Sequence, residues 1–239
     1  MKRTVTKTII LSFLAFFLCQ KGIGQSIENF IDRTIKVDSR NVPIDQKQFY
    51  FPKEMFPKLD LNYVKVNDST TRIETKIIDG KYDDFVMEWY SKHLFSMKEP
   101  LLFNRKTKKQ IYRFTWLRTF DKPVAIKIEK DKNQYTLFWK MLSGAGGYKP
   151  GELIVEKSKE LSEKEWLNFI ELVEKADFWN MELGRSSIGF DGSEWILEAV
   201  NPTDYKVVSV WTPRKSNFYN ACNYLISLTD LNIKGKEKY

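Results

Sequence analysis

The stretch DGSEWILEAVNPTDYKVVSVWTPR, residues 191–214, decides the fold. Two runs rich in β-branched and aromatic residues, 193–200 and 205–211, flank the turn residues Asn201, Pro202, Thr203 and Asp204. Setting Val200 opposite Tyr205 puts Leu197 opposite Val208, Trp195 opposite Val210 and Glu194 opposite Trp211. Side chains alternate along a strand, so the face with Trp195, Leu197, Val208 and Val210 is the expected core side. Glu194, Ile196, Glu198, Tyr205, Val207, Ser209 and Trp211 lie on the other face. At the open end Asp191 comes opposite Arg214. Asp191, Gly192, Glu194, Trp211 and Arg214 therefore make a rim of acid, base, glycine and indole, which is the best candidate binding site in the chain. The plain alternative is a capped sheet end, with Asp191 and Arg214 as a structural ion pair.

Outward from that hairpin, strands are expected at 110–119, 123–130, 134–142 and 152–157, with Asp131-Lys132-Asn133 as a hairpin turn. Between them and the last hairpin, SEKEWLNFIELVEKADFW opens with Ser162 and Glu165 in capping-box spacing. Its Trp166, Phe169, Ile170 and Val173 recur at helical spacing. A last helix starts near Ser216. Strands in a run with an inserted helix and a terminal helix argue for an α+β fold, mainly antiparallel sheet with packed helices. Earlier in the chain, Ile27, Phe30, Ile31 and Ile35 make a short helical stripe. Residues 61–66 and 71–78 read as paired strands. Residues 83–97 read as a helix with Phe85, Trp89, Tyr90, His93, Leu94 and Met97 largely on one side. The basic run Arg105-Lys106-Thr107-Lys108-Lys109 is a connector, most simply a solvated loop. The expected organisation is a signal peptide at 1–24, an N-terminal α+β region at 25–104 and a C-terminal sheet with two helices at 105–239. The last two are either separate or one continuous domain.

The signal peptide rests on a basic start, an apolar run IILSFLAFFLC and a small-residue exit with Gly22 and Gly24 at −3 and −1. That run is short of the roughly twenty residues a membrane span needs. Cleavage is expected between Gly24 and Gln25, giving an exported protein, periplasmic or secreted, with no membrane span. Of the two cysteines, Cys19 leaves with the signal. Cys222 falls on the apolar face of the last helix and reads as a core thiol.

Of 239 residues, 42% are apolar and 15% aromatic, as in a globular protein. The formal charge of +8 includes Lys2, Arg3, Lys7 and Lys21 of the signal, and what remains is too mild a balance for a nucleic-acid footprint. A single histidine excludes multi-histidine metal sites. Glu194 and Glu198 are four residues apart on one strand, about 13 Å between Cα atoms. Glycosidase carboxylates lie about 5–9.5 Å apart. GRSSIG at 184–189 carries one residue too many for a nucleophile elbow. SGAGGYKPG at 143–151 lacks both the Ser or Thr after Lys149 and the following helix of a phosphate loop, so it reads as a wide hairpin loop. His93 sits among aromatics and reads as a structural imidazole. No cofactor or metal is expected. Tyr112, Phe114, Trp116 and Phe120 share a strand face with Arg118, either as core or as a stacking platform.

YRFTWLRTF, GGYKPGELIV, the helix ending in DFW, DGSEWILE, and WTPR leading into ACNYLISL resemble a family of uncharacterised bacterial proteins, many of them exported. The likeness covers roughly residues 110–230. It implies a folded module in a bacterial, exported setting, and brings no known activity and no catalytic residue. The leading expectation is a non-catalytic module that binds a protein or small-molecule ligand of the cell envelope at the rim. The alternatives are an envelope hydrolase using carboxylates, with Asp191 and Glu194 foremost, and an inhibitor or immunity-type protein.

Overall fold

A computed structural model describes residues 24–67, 70–182, 184–185 and 191–233. The expected signal peptide, up to residue 23, and most of GRSSIG lie outside the described residues. In chain order the elements are β1 (Gln25–Ser26), β2 (Pro57–Asn67), β3 (Thr70–Tyr82), α1 (Asp84–Ser96), β4 (Gln110–Arg118), β5 (Val124–Asp131), β6 (Gln134–Leu142), β7 (Leu153–Glu160), α2 (Glu163–Lys175), β8 (Gly184–Arg185), β9 (Ser193–Val200), β10 (Asp204–Trp211) and α3 (Asn217–Ser227). Short 3-10 turns occupy Ile27–Phe30, Lys53–Met55 and Phe178–Asn180.

The fold is α+β, built on one mainly antiparallel sheet in the order β1-β10-β9-β4-β5-β6-β7, with β8 parallel to β10. β2 and β3 form a separate two-stranded hairpin. The 191–214 hairpin pairs as expected, with Tyr205 opposite Val200, Val208 opposite Leu197, Val210 opposite Trp195 and Trp211 opposite Glu194. β9 also pairs with β4, Trp195 against Trp116 and Glu198 against Arg113. The glycine-rich loop at 143–151 joins the antiparallel neighbours β6 and β7, as a wide hairpin should.

Both faces of the sheet are covered. On one, Tyr112, Phe114, Trp116, Ile126, Leu137, Trp195 and Leu197 pack against Trp166, Phe169 and Val173 of α2 and Phe218, Cys222 and Leu225 of α3. This is the core that the apolar alternation marks. α2 is held at its start by the full capping box: the Ser162 hydroxyl accepts from the Glu165 N–H at 3.3 Å and the Glu165 carboxylate accepts from the Ser162 N–H at 2.8 Å. Ser216 caps α3 through its hydroxyl, which accepts from the Tyr219 N–H at 3.1 Å. Cys222 is fully buried, and burial pushes its thiol up.

The second face carries Ile111, Arg113, Thr115, Leu117, Ile196, Glu198, Val207 and Ser209, and chain from before residue 104 lies over it. Ile27, Phe30, Tyr50, Phe51, Met55, Tyr90 and Leu94 form one apolar cluster with Ile111, Leu117, Ile196, Val200 and Val207. Residues on both sides of the basic connector thus share a core. The hairpin pattern suggested one core side and the structure gives two, because the N-terminal segment supplies a second apolar layer.

Two local expectations change. The stripe from Ile27 to Ile35 forms only one 3-10 turn. The Ile27 N–H is drawn to Thr203 O at 2.9 Å, and the Asp32 side chain accepts from the Thr34 N–H at 2.8 Å and the Thr34 hydroxyl at 2.6 Å. Such local side-chain bonds compete with helix. On α1, Tyr90, His93 and Leu94 are buried as expected, but Phe85 is 75% exposed at the first turn.

The α2 stripe makes a direct test. Phe169→Ala is expected to cost about 3–5 kcal/mol in urea unfolding, whereas Leu167→Ala, on the exposed side of the same helix, should change stability by less than about 0.5 kcal/mol.

Candidate functional site

The polar residues of the second face converge under the N-terminal segment. Arg113, at the centre of β4, has no exposed surface. Its Nε donates to Glu198 Oε2 at 2.9 Å, and its Nη2 contacts the same oxygen. Nη1 donates to the Pro100 carbonyl at 2.7 Å and lies 3.6 Å from Glu99 Oε2. The Tyr205 hydroxyl donates to Glu198 Oε1 at 2.7 Å. Glu99 is also 3.1 Å from the Lys140 ammonium, which donates to the Met97 carbonyl at 2.8 Å. Burial raises the Glu198 carboxyl, against the pull of Arg113 and Tyr205. At Glu99 burial again acts upward, but Lys127, Arg113 and Lys140 together outweigh it and hold the carboxyl low. The Arg113 charge is itself held by Glu198 and Glu99 against the cost of burial.

Glu194 lies two same-face steps along β9 from Glu198, past Ile196. It is fully buried, and its Oε1 accepts from the Ser209 hydroxyl at 2.6 Å, with the Tyr90 hydroxyl 3.1 Å from Ser209 Oγ. His93 is sealed under the loop that carries Gly146, whose carbonyl accepts from the Trp89 indole at 2.6 Å. Neither His93 ring nitrogen completes a hydrogen bond. Burial, with Lys92 adding to it and the nearby Gly146 carbonyl opposing, pulls the imidazole down to about 3. It is a neutral core side chain at neutral pH. Among the described residues no group of three or more His, Cys, Asp or Glu side chains is placed to hold a metal ion.

The proposed rim separates into two depths. Gly192 is buried beside the Trp211 indole: a Cβ there would lie 2.3 Å from Thr212 Oγ1 and 2.8 Å from Trp211 Cζ2. Trp211 is half-buried, and Asp191 and Arg214 are exposed. Glu194, by contrast, sits inside the molecule. Asp191 and Arg214 do not form the ion pair that the extended register suggested. The ladder ends at Thr212, whose N–H reaches Ser193 O at 2.7 Å while its own backbone turns left-handed at φ 43°. Pro213 then has no N–H to continue the pairing.

This end of the sheet also holds residues that sequence reading did not assign to it. The Thr119 N–H and hydroxyl both donate to Gly192 O at 2.9 Å. Phe120, expected to share the buried face of Tyr112, Phe114 and Trp116, lies past the end of β4 and is 60% exposed. It contacts Tyr148, 58% exposed, with ring centroids 6.1 Å apart. The other three aromatics are core, and the Arg118 guanidinium lies 4.4 Å from the Trp116 ring centre. Gly146 and Gly147 bring the loop against β4; a Cβ on Gly146 would lie 2.5 Å from the Arg118 nitrogen. The clustered glycines of SGAGGYKPG were the legible sign that this loop touches backbone.

No family model matches the chain, and no curated protein gives a significant match.

Two outcomes follow for the buried groups. Glu198→Ala strands the Arg113 charge and should cost about 3–5 kcal/mol in urea unfolding. His93 binds a proton more readily unfolded than folded, so its contribution is complete above its ordinary value of about 6.5 and fades as pH falls towards about 3. His93→Leu should therefore flatten the acid-side loss of stability below pH about 6, by up to about 1.4 kcal/mol per pH unit, read from urea midpoints across pH.

Proposed function

We propose that this chain is a non-catalytic binding module of bacterial origin, exported and soluble once its signal is removed. It holds a protein or small-molecule ligand of the cell envelope at the sheet end formed by Asp191, Gly192, Trp211 and Arg214, with Phe120 and Tyr148 beside them. The observation that carries this reading is where the chain spends its acid–base groups. Glu198 is taken up by Arg113 and Tyr205, Glu194 is buried against Ser209, and His93 is buried and neutral. Of the two carboxylates that a hydrolase would draw on first, Glu194 is buried and Asp191 alone meets solvent, whereas carboxylate-driven hydrolysis works with a pair that reaches the substrate. What the sheet end offers solvent is aromatic and charged: Phe120, Tyr148, part of Trp211, Asp191 and Arg214. Exposed aromatic rings of this kind supply contact area at low entropic cost, and are enriched where proteins bind.

Export is supported by the basic, apolar and small-residue pattern of residues 1–24. Among the described residues pairing in the sheet begins at Gln25, directly after the expected cleavage point, so processing there leaves β1 intact. Among the described residues no helix is long and apolar enough to cross a membrane. The resemblance over residues 110–230 agrees with an exported bacterial setting.

The test is thermal unfolding against envelope glycans, peptidoglycan fragments and peptides, in the wild type and in Trp211→Ala and Gly192→Ala. A ligand at a hundred times its Kd adds about 2.7 kcal/mol, which is about 5–10 °C at this chain length. A shift seen in the wild type and lost in both variants, whose own unfolding stays cooperative, is the expected result. Turnover of any of these compounds that Asp191→Asn abolishes, with its unfolding unchanged, would overturn the reading.

A further inference from the structure

At the opposite end of β4 from Trp211 and Phe120 lies an open cleft of about 510 Å³. We propose that it is a second binding site, specific for a ligand that presents two or more adjacent phosphoryl groups. Six cationic side chains line it, Arg40, Arg105, Lys106, Lys108, Lys109 and Lys127, against two acids, Glu129 and Asp131.

The acids are already engaged. Lys109 is 3.0 Å from Glu129 and 3.8 Å from Asp131, and Lys127 is 3.0 Å from Glu129. This group of four is close to neutral. Arg40 pairs with Asp38 at 3.3 Å and Lys106 with Glu28, both pairs reaching solvent, where such pairs contribute little. Arg105 and Lys108 have no acidic partner among the described residues, and both are exposed. The cleft therefore holds a surplus of positive charge that no acidic side chain of the described residues balances. The chain as a whole is only mildly basic once its signal segment is set aside, so this surplus is local. A cleft with a net surplus of one sign concentrates counter-ions.

The wall is also braced, as a binding site requires. Pro100 is held by Arg113 Nη1 at 2.7 Å. The Leu101 N–H donates to Asn41 O at 2.9 Å, and the Asn41 side chain donates back to Leu101 O at 2.6 Å and to Asn104 at 2.7 Å. Asn41 adopts a left-handed backbone, φ 67°, directly after Arg40, and Arg40 and the connector line the same opening. Two guanidinium forks and several ammonium groups over one opening suit phosphoryl oxygens, which accept bidentate bonds from arginine and carry more charge per group than a carboxylate. Arg105 and Lys108, with Arg40 and Lys106 from their exposed pairs, offer four positive charges, and one phosphate carries only about two. Two or more can balance them.

The experiment is isothermal titration of the whole chain with orthophosphate, inorganic pyrophosphate and ADP at low salt. Pyrophosphate should bind at least about tenfold tighter than orthophosphate, and weaken as salt rises. Arg105→Glu/Lys108→Glu should weaken it at least about tenfold without lowering the melting temperature, while Lys164→Glu on α2 should leave it unchanged. ADP binding as tightly as pyrophosphate assigns the site to a phosphate ester, and ADP binding more weakly assigns it to inorganic polyphosphate. Equal affinity for orthophosphate and pyrophosphate, no binding by any probe, or equal losses in the cleft and control variants would overturn the proposal. Trp211→Ala lies outside the cleft, so its effect separates this site from the one at the sheet end.

Discussion

Arg113 carries a full positive charge to the middle of the central strand, with no exposed surface of its own. Such a charge is tolerable only if counter-charges and carbonyls close around it. Glu198 comes from the neighbouring strand, but Glu99 and the Pro100 carbonyl come from the segment that crosses the sheet. The sheet therefore cannot complete its second face by itself. Until the N-terminal segment is in place, Arg113 and Glu198 remain open to water and Ile111, Leu117, Ile196 and Val207 are uncovered.

The two faces are unlike in consequence. Beneath α2 and α3 the contacts are aromatic and aliphatic, which tolerate some repacking. Beneath the N-terminal segment, charged and hydroxyl groups sit among apolar neighbours, and a partly satisfied polar network is costly. Lys140 illustrates the difference: its ammonium binds Glu99 and the carbonyls of Met97 and Lys98 just past the end of α1. It ties β6 to the chain that leads out of that helix. The same ties brace the loop from Pro100 to Asn104, one wall of the cationic cleft. Internal electrostatics and the exposed positive surface are thus two sides of one piece of backbone.

Burial also decides which chemistry the molecule can present. The single histidine is neutral in the core, and the two most suggestive glutamates face inward. Among the described residues the outside includes an aromatic sheet end and a cationic cleft, separated by the length of β4, about 25 Å at about 3.3 Å per residue. The fold can offer two different surfaces because a sheet covered on both faces leaves its two ends for contact.

The amino-acid sequence by itself determined the ladder and its caps. The register from Val200 and Tyr205 to Glu194 and Trp211, the strands β4 to β7, the Ser162 capping box, the Ser216 start of α3 and the burial of Cys222 all follow from spacing, turn chemistry and alternation, which act over a few residues. Tertiary structure decided which face each strand hides. Nothing near Glu194 and Glu198 in sequence says that the chain around Phe30, Tyr50, Tyr90 and Leu101 will cover their face, because that cover is a packing of distant chain. The candidate rim was half legible for the same reason: Gly192 and Trp211 are local partners, but Phe120 and Tyr148 arrive from two other connections, and the left-handed Thr212 with Pro213 turns Arg214 away from Asp191. Local rules set the register, and the depth of each side chain was set by what the rest of the molecule laid upon it.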